Sequence, residues 1–351
     1  MTHTKKYTLI ITNLPGGEIE LAGNLPWDTF LTYEAAALAH LGKNIEVDGF
    51  RKGSVPETMV RKHIPDQLLL EEMAERALQE HYVQMLTQES IDAIGRPRIA
   101  LTKLARDNDL EFKIITAVMP EVKLPDYHAL AKAAEKIEAP AVTDEDVENT
   151  INELRHMRLH QNDTAGTHDH STPHEHTEAE LPVVDDAFAK SFGKFETVAD
   201  LKAKIRENLA LEKDREAKDK QRTAVLEAVS KETEVVVPKL FVEAELQKLV
   251  SQVEFEVSRA GVKFEDYLKQ VGKTKEDLEK EFLPDAERRA KFQLVLDAIA
   301  NKENLKPEAE VVEQETQKLM TMYPGADEAR TRAYAQMVLT NEKVLSFLET
   351  L

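Results

Sequence analysis

One stretch of eight residues combines side chains suited to a partner that is both charged and apolar: Gly49-Phe50-Arg51-Lys52-Gly53-Ser54-Val55-Pro56. Its two glycines permit backbone angles that other residues resist, and Pro56 suits the first turn of a helix. A tight turn here would present Phe50, Arg51 and Lys52 together on the outside. Because the cations can neutralise phosphates while the ring fills an apolar pocket, the stretch predicts contact with a surface of RNA and protein.

The charge around this stretch differs from that of the whole chain. From Lys43 to His63 there are five lysines and arginines and three acidic residues, whereas the chain of 351 residues has a net charge of −19. Such a chain repels nucleic acid as a whole, so contact with RNA must come from a local basic patch. An ordinary helix–helix turn with solvated charges is the alternative that composition leaves open.

Histidines form a second concentration, since six of the eleven lie between His156 and His176. Residues 161–181 have no apolar periodicity and contain glycine and proline, which is typical of a flexible, solvated linker. We interpret the segment as a spacer and keep low-affinity zinc or nickel binding as the alternative. The candidate metal ligands are His168, His170, His174 and His176.

Composition excludes several kinds of site. The chain has no cysteine, which excludes disulfides, thiolate metal sites and thiol catalysis. The sequence contains no phosphate-binding glycine loop, so we expect no nucleotide and no other cofactor. No apolar run approaches the ~18 residues of a membrane span, and the amino terminus lacks a cleavable signal pattern. The expected location is therefore the cytoplasm, without membrane contact.

The spacing of apolar residues predicts an α+β domain at residues 1–119. A hairpin is expected at 1–23, one helix from Pro26 to Gly42, and another over 66–89. Strands are expected at 98–104 and 110–118, after a turn at Gly95-Arg96-Pro97.

Beyond residue 120 the period is almost entirely helical. We expect residues 120–160 to hold a linker and the first helical part of a second body, and residues 182–351 to form the rest of it. The fold class is thus an α+β domain joined to a mostly α-helical domain with arms, multi-domain and elongated. Breakers at Gly261, Gly272, Pro284, Pro307 and Pro324-Gly325 predict helices at 238–258, 263–283, 285–303, 308–322 and 327–350.

The stretch at 49–56 resembles the G-F-R-x-G-x-x-P signature of bacterial trigger factors and matches it at every fixed position. Similarity extends over nearly the whole chain, including 119–122, 142–147, 185–193 and Val237-Pro238. The resemblance implies a ribosome-associated chaperone with roles in protein folding, transport and cell division. Its contacts with the large ribosomal subunit, protein and RNA beside the exit tunnel, would be made by Gly49, Phe50, Arg51, Lys52, Gly53 and Pro56.

The chain departs from the family pattern in its middle. In the family an isomerase domain of FKBP type, which acts on prolyl peptides, lies between the segments that end near His160 and begin near Leu181. Here only the 161–181 linker joins them, and it has no aromatic residue for a prolyl pocket. We therefore expect no enzymatic activity, with retained isomerase activity as the alternative.

The resemblance also implies helical arms that hold nascent, unfolded polypeptides. Flexible apolar side chains suit unrelated clients because they repack without fixed geometry. Helix-packing core is the alternative role for each of them, and a homodimer off the ribosome is a further expectation. The candidate client contacts are Phe241, Leu246, Leu249, Val253, Met320, Met322 and Met337.

Overall fold

Alternating apolar residues build a four-stranded antiparallel sheet near the amino terminus. The computed structural model describes residues 7–43, 45, 55–163 and 181–351. The strand order is β1-β2-β4-β3, so β1 and β3 form the two edges. The strands are β1 (Thr8–Leu14), β2 (Glu18–Leu25), β3 (Ala93–Lys103) and β4 (Leu110–Val118).

Four helices accompany this sheet and share its apolar core. Leu21 of β2 and Phe112 and Ile114 of β4 are buried in one cluster with Met73 and Leu78 of the longest of these helices. This cluster holds the strands and helices in one domain, as the apolar period predicts. The helices are α1 (Trp27–Leu31), α2 (Glu34–Leu41), α3 (Glu57–His63) and α4 (Asp66–Gln88).

Two local predictions in this domain were wrong. The single helix expected from Pro26 to Gly42 is interrupted between α1 and α2, where the Thr32 hydroxyl donates to the Thr29 carbonyl at 2.6 Å. Such a side-chain bond competes with continued helix. The turn expected at 95–97 is instead an irregularity within β3. Gly95 adopts a φ of +73°, and the pairing with β4 shifts between Ile94 and Arg98, as in a β-bulge.

The chain forms two compact units, each made from two separate parts. One unit comprises Met1–Leu124 and Thr233–Asn301, and the other comprises Pro125–Glu232 and Lys302–Leu351. In the first unit, Lys123 and Glu234 exchange two backbone hydrogen bonds of 3.1 and 3.2 Å, next to where the chain leaves and returns. The first unit also contains α9 (Lys239–Arg259), α10 (Phe264–Gln270) and nearly all of α11 (Lys275–Lys302).

In the first unit, the beginning of α9 packs closely against three glycines. The Lys239 amide donates to the Gly16 carbonyl at 3.3 Å. A Cβ at Gly17 would lie 3.0 Å from Pro238, and a Cβ at Gly95 would lie 2.7 Å from Leu240. All three glycines have positive φ, so both the backbone conformation and the close approach of α9 favour glycine.

The helix break expected at Pro284 is absent, because α11 continues through this residue. A proline inside a helix removes one backbone hydrogen bond and costs about 3 kcal/mol or more. Leu278 lies before Pro284, and Ala286, Ala290 and Leu294 lie after it, and all four are buried. Burial on both sides of the proline offsets its cost. The predicted breakers Gly261 and Gly272 do lie between helices, and Gly272 divides the helix expected at 263–283 into α10 and the beginning of α11.

The second unit contains a small core of its own close to residues 164–180. It is formed by α6 (Asp144–Asp163), α7 (Asp186–Lys190) and the first turns of α8 (Val198–Glu232). Val147 and Ile151 of α6 are buried with Phe188 and with Leu201 and Ile205 of α8. The two chain segments on either side of 164–180 therefore pack against each other.

Hydrogen bonds and an ion pair reinforce this small core. The Thr143 amide donates to Asp146 Oδ2 at 2.8 Å and the Asp146 amide donates to Thr143 Oγ1 at 3.2 Å, which caps the start of α6. Lys213 Nζ of α8 lies 2.6 Å from the same Asp146 Oδ2. The hydrogen bond from Lys213, with those from Thr143, lowers the pKa of Asp146 to about 2.

The remainder of the second unit joins its two chain parts through side chains. The Tyr127 hydroxyl of α5 donates to Glu303 Oε1 at 2.5 Å, and burial with this bond raises the pKa of Tyr127 to about 12. Arg222 of α8 bonds to Glu342 at 2.7 Å and to Glu349 at 2.5 Å. The other helices of this unit are α5 (Tyr127–Ala133), α12 (Ala309–Met322) and α13 (Glu328–Glu349).

We predict that Gly95→Ala destabilises the first unit more than Gly272→Ala does. Both glycines have similar positive φ, +73° and +67°, but only at Gly95 would a Cβ meet another residue. The backbone strain costs roughly 1 kcal/mol at either site, and the contact with Leu240 adds a further term of about 1–2 kcal/mol at Gly95. Urea unfolding of the two variants measures the difference.

A double variant identifies the source of that extra loss. In Leu240→Ala the space beside Gly95 is enlarged, so adding Gly95→Ala to it should cost no more than Gly272→Ala alone. Equal losses in Gly95→Ala and Gly272→Ala would show that the contact with α9 contributes nothing measurable.

We also predict that Asp146→Asn destabilises the second unit at neutral pH and that this difference disappears in acid. The folded pKa of Asp146, about 2, lies below the ordinary value of 3.8, so its stabilising effect is present above pH ~4 and is lost as the pH falls through 2. Thermal unfolding followed by circular dichroism at pH 7, 4 and 2 tests this. The control is Asp214→Asn, which changes an exposed carboxylate on α8 directly after Lys213 and should alter the midpoint little at any pH.

Candidate functional site

Most of the predicted docking segment lies outside the described residues, namely Gly49, Phe50, Arg51, Lys52 and Gly53. The structure describes both of its flanks. Ile45 before the segment and Val55 after it are partly buried against the core of the domain. Pro56 directly precedes α3, and its carbonyl accepts from the amides of Met59 at 2.9 Å and Val60 at 3.0 Å, as its predicted place at a helix start requires.

The helices on either side of the segment approach each other closely at Gly42. A Cβ at this glycine would lie 3.0 Å from the Leu38 carbonyl oxygen and 3.1 Å from Val60 of α3. The end of α2 and the beginning of α3 are therefore held together by packing. The described residues before and after the segment therefore belong to one packed part of the domain.

The basic patch around the segment has less positive charge available for a partner than a count of its basic residues suggests. Arg61 forms ion pairs with Glu34 and, at 3.2 Å, with Asp66, so its charge is neutralised within the domain. Lys43 and Lys62 are exposed and have no ion pair among the residues that the structure describes. Among the described residues near the segment, the charge available for a partner is thus carried by Lys43 and Lys62.

The candidate client residues on α9 differ in exposure. Leu249 is buried, at 8% exposure, whereas Phe241, Leu246 and Val253 are half-buried. Phe255 of the same helix is 66% exposed and was not among the predicted contacts. Phe255 lies two residues after Val253, outside the three- to four-residue spacing of the predicted contacts, so periodicity alone gives no signal for it.

The candidates on α12 and α13 show a similar division. Met320 and Met337 are half-buried, while Met322 is 58% exposed. Tyr323 directly after α12 and Tyr334 of α13 are also exposed, and together with Leu319 they line a concave surface that encloses about 310 Å³. These two tyrosines add an apolar surface that the sequence analysis missed.

The candidate metal ligands His168, His170, His174 and His176 lie outside the described residues. In the described ranges, no group of three or more histidine, aspartate or glutamate side chains is arranged to hold a metal ion. Nor does any helix in these ranges combine the length and apolar character needed to cross a membrane.

Comparison with known proteins assigns the family. The model of the bacterial trigger factor protein matches residues 8–154, and the model of the trigger factor carboxy-terminal region matches residues 197–348. Together they take in most of the α+β domain and most of the helical part. The chain belongs to the bacterial trigger factor family.

Individual relatives are similar over most of their length. The trigger factor of Halalkalibacterium halodurans is 27% identical over 357 residues, covering 80% of this chain and 82% of that protein. The trigger factor of Carboxydothermus hydrogenoformans is 24% identical and covers 88% of this chain and 90% of its own. The trigger factor of Bacillus cytotoxicus is 28% identical, with 82% and 84% covered.

A solved structure of a trigger factor chaperone, described for its promiscuous substrate recognition in folding and assembly activities, has the same fold. It aligns with a TM-score of 0.54 and 17% identity, covering 98% of this chain and 99% of that one. The α+β domain followed by a discontinuous helical part, predicted from sequence, is thereby confirmed as the fold class.

Proposed function

We propose that this trigger factor family member is an ATP-independent, ribosome-associated chaperone of the cytoplasm. It docks on the large ribosomal subunit beside the exit tunnel and shields apolar segments of newly made proteins. The observation that carries the proposal is the complete docking signature at 49–56 in a chain that belongs to this family over 8–154 and 197–348.

Docking is assigned to Phe50, Arg51 and Lys52, with Gly49, Gly53 and Pro56 shaping the turn. The packing of Gly42 against Val60 and of Val55 against the core supports this role, because flanking residues that are already fixed lose little conformational entropy on binding. A guanidinium and an ammonium group suit rRNA phosphates, and the phenylalanine ring suits an apolar pocket on a ribosomal protein.

Client binding is assigned to the exposed apolar side chains of the helices. Met322, Phe255, Tyr323 and Tyr334 are more than half exposed, so they can contact a client without any change in the fold. The half-buried candidates Phe241, Leu246, Val253, Met320 and Met337 extend this surface, whereas Leu249 contributes mainly to packing. Small separate patches bind weakly, which lets a client leave and fold.

We further propose that this chain has no isomerase domain. Residues 155–196 separate the two matched regions, and their described parts belong to α6 and to the small core with α7. Only residues 164–180 remain for a further domain. This segment is far shorter than the ~40 residues that a domain usually needs to fold unaided. The alignment with the H. halodurans trigger factor supports this. It extends over 357 positions but covers only 80% of this chain of 351 residues, so part of the relative's sequence has no counterpart here.

The proposal predicts that wild-type protein co-sediments with large ribosomal subunits and that the variant Phe50→Ala/Arg51→Ala/Lys52→Ala does so at least about tenfold more weakly. The variant loses two cations and the aromatic anchor at once. Sucrose-cushion sedimentation at two salt concentrations measures the binding and its salt dependence.

The matched control is Lys263→Ala/Phe264→Ala/Lys269→Ala, which removes the same number of cations and one phenylalanine from α10 and the residue before it. This control should sediment like the wild type. Equal sedimentation by the docking variant and the wild type would rule out the assignment of the segment.

We expect the protein not to accelerate cis–trans isomerisation of a proline-containing tetrapeptide. The time constant should stay at its uncatalysed value of about tens to hundreds of seconds at 25 °C. The chain has no room for an FKBP-type pocket in 164–180. A protease-coupled assay, run beside an FKBP-type isomerase as positive control, checks this. Acceleration that scales with protein concentration would contradict the proposal.

A further inference from the structure

The two edges of the sheet differ in their protection against pairing with another strand. β3 carries Arg96, Pro97, Arg98 and Lys103, and its pairing with β4 shifts register twice. Charged residues, proline and bulges are the features by which native proteins prevent an edge strand from accepting a further strand. The β3 edge is therefore blocked.

The β1 edge has none of these features. Its sequence, TLIITNL, contains no charged residue and no proline, although 32% of the chain is charged. Its pairing with β2 runs without a shift from Thr8 to Leu14. Five of its seven residues are exposed, including Ile10 at 70% and Ile11 at 42%.

Among the described residues no strand pairs with the outer side of β1, and an edge of this kind has a defined binding chemistry. Every second residue of an outer antiparallel strand turns its N–H and C=O groups away from the sheet. Only another extended chain satisfies that row of groups, and its alternate side chains then contact both faces of the edge. Ile10 pairs with Ala22 on the open face, and Ile11 pairs with the buried Leu21 on the core side, so both faces offer an isoleucine.

We propose that β1 is a second client site, which binds an extended, uncharged segment of an unfolded polypeptide as a fifth strand of the sheet. This inference rests on the proposed chaperone function and adds a class of client segment to it: short stretches rich in β-branched and aromatic residues. The exposed methionine, phenylalanine and tyrosines of the helices bind side chains, whereas β1 binds backbone.

Two observations favour a client over a second copy of this chain at β1. Pairing of two seven-residue strands buries far less than the ~1,200 Å² of a stable interface. A second copy also brings a net charge of −19 against another −19, whereas a neutral client segment meets a strand without charge. Weak, transient strand addition fits a chaperone that must release its client.

The test uses the full-length protein and a fluorescent seven-residue peptide of alternating valine and threonine. We expect Ile10→Lys, which places a charge on the edge as in β3, to weaken peptide binding by about tenfold in fluorescence anisotropy. The side chain of Ile10 is 70% exposed, so the substitution should leave the thermal unfolding midpoint unchanged.

The matched control is Ile99→Lys on the blocked edge, where the isoleucine is 47% exposed. This variant should bind the peptide within about twofold of the wild type, since β3 already carries charges. Equal weakening by the two substitutions would show a general effect of charge and would overturn the assignment to β1.

A chemically altered peptide separates strand addition from side-chain contact. Methylation of alternate backbone amides removes the hydrogen bonds and keeps the side chains, so binding should be lost. Undiminished binding of the methylated peptide would overturn the proposal. Analytical ultracentrifugation gives a second contrary outcome. If the wild type were a dimer and Ile10→Lys a monomer, β1 would bind a second copy of the chain and the proposal would be overturned.

Ribosome sedimentation of the same preparations keeps this test independent of the proposed function. Ile10→Lys should sediment with large subunits like the wild type. Loss of peptide binding with retained ribosome binding supports the β1 site. Retained peptide binding with retained ribosome binding overturns the β1 site alone and leaves the chaperone assignment intact.

Discussion

The close contact between three glycines and the beginning of α9 is the constraint on which the first unit depends. The chain leaves this unit after Leu124 and returns at Thr233, and it must find the same place again. Gly16, Gly17 and Gly95 provide that place because they lack side chains where Pro238, Lys239 and Leu240 arrive. The helix that carries Phe241 and Phe255 is thus fixed to the sheet whose domain carries the docking segment.

Fixing α9 in this way connects the two proposed activities in one unit. The helix bearing client contacts and the domain bearing the docking signature share the first unit, so positioning one positions the other. Under the proposed function, docking would therefore also place the apolar side chains of α9 near the emerging client.

Much of this arrangement could be predicted from the sequence, and the failures have physical causes. The hairpin, the long helix α4 and the strand β4 followed from strong apolar periods. Pro284 was misjudged because its local cost was visible in the sequence, whereas the buried residues on both sides that offset it were not. The pairing of Arg61 with Glu34 joins residues far apart in sequence, which a local charge count cannot show.

The candidate site was predictable in kind more than in detail. The signature at 49–56 indicated docking, and apolar helices indicated a client surface. Periodicity shows which residues share a face, but it does not show where the neighbouring helix stops covering that face. The exposed Phe255, Tyr323 and Tyr334 were missed for this reason. Leu249, which was expected to contact clients, is buried.

The interleaving of the two units has a consequence for how this protein is itself made. Synthesis proceeds from the amino to the carboxyl end, so the sheet and α4 are made long before residues 233–301, which complete their unit. The second unit likewise waits for residues 302–351. During most of its own translation both units of this protein are therefore incomplete, and under the proposed function the nascent copy is itself a client of copies made earlier.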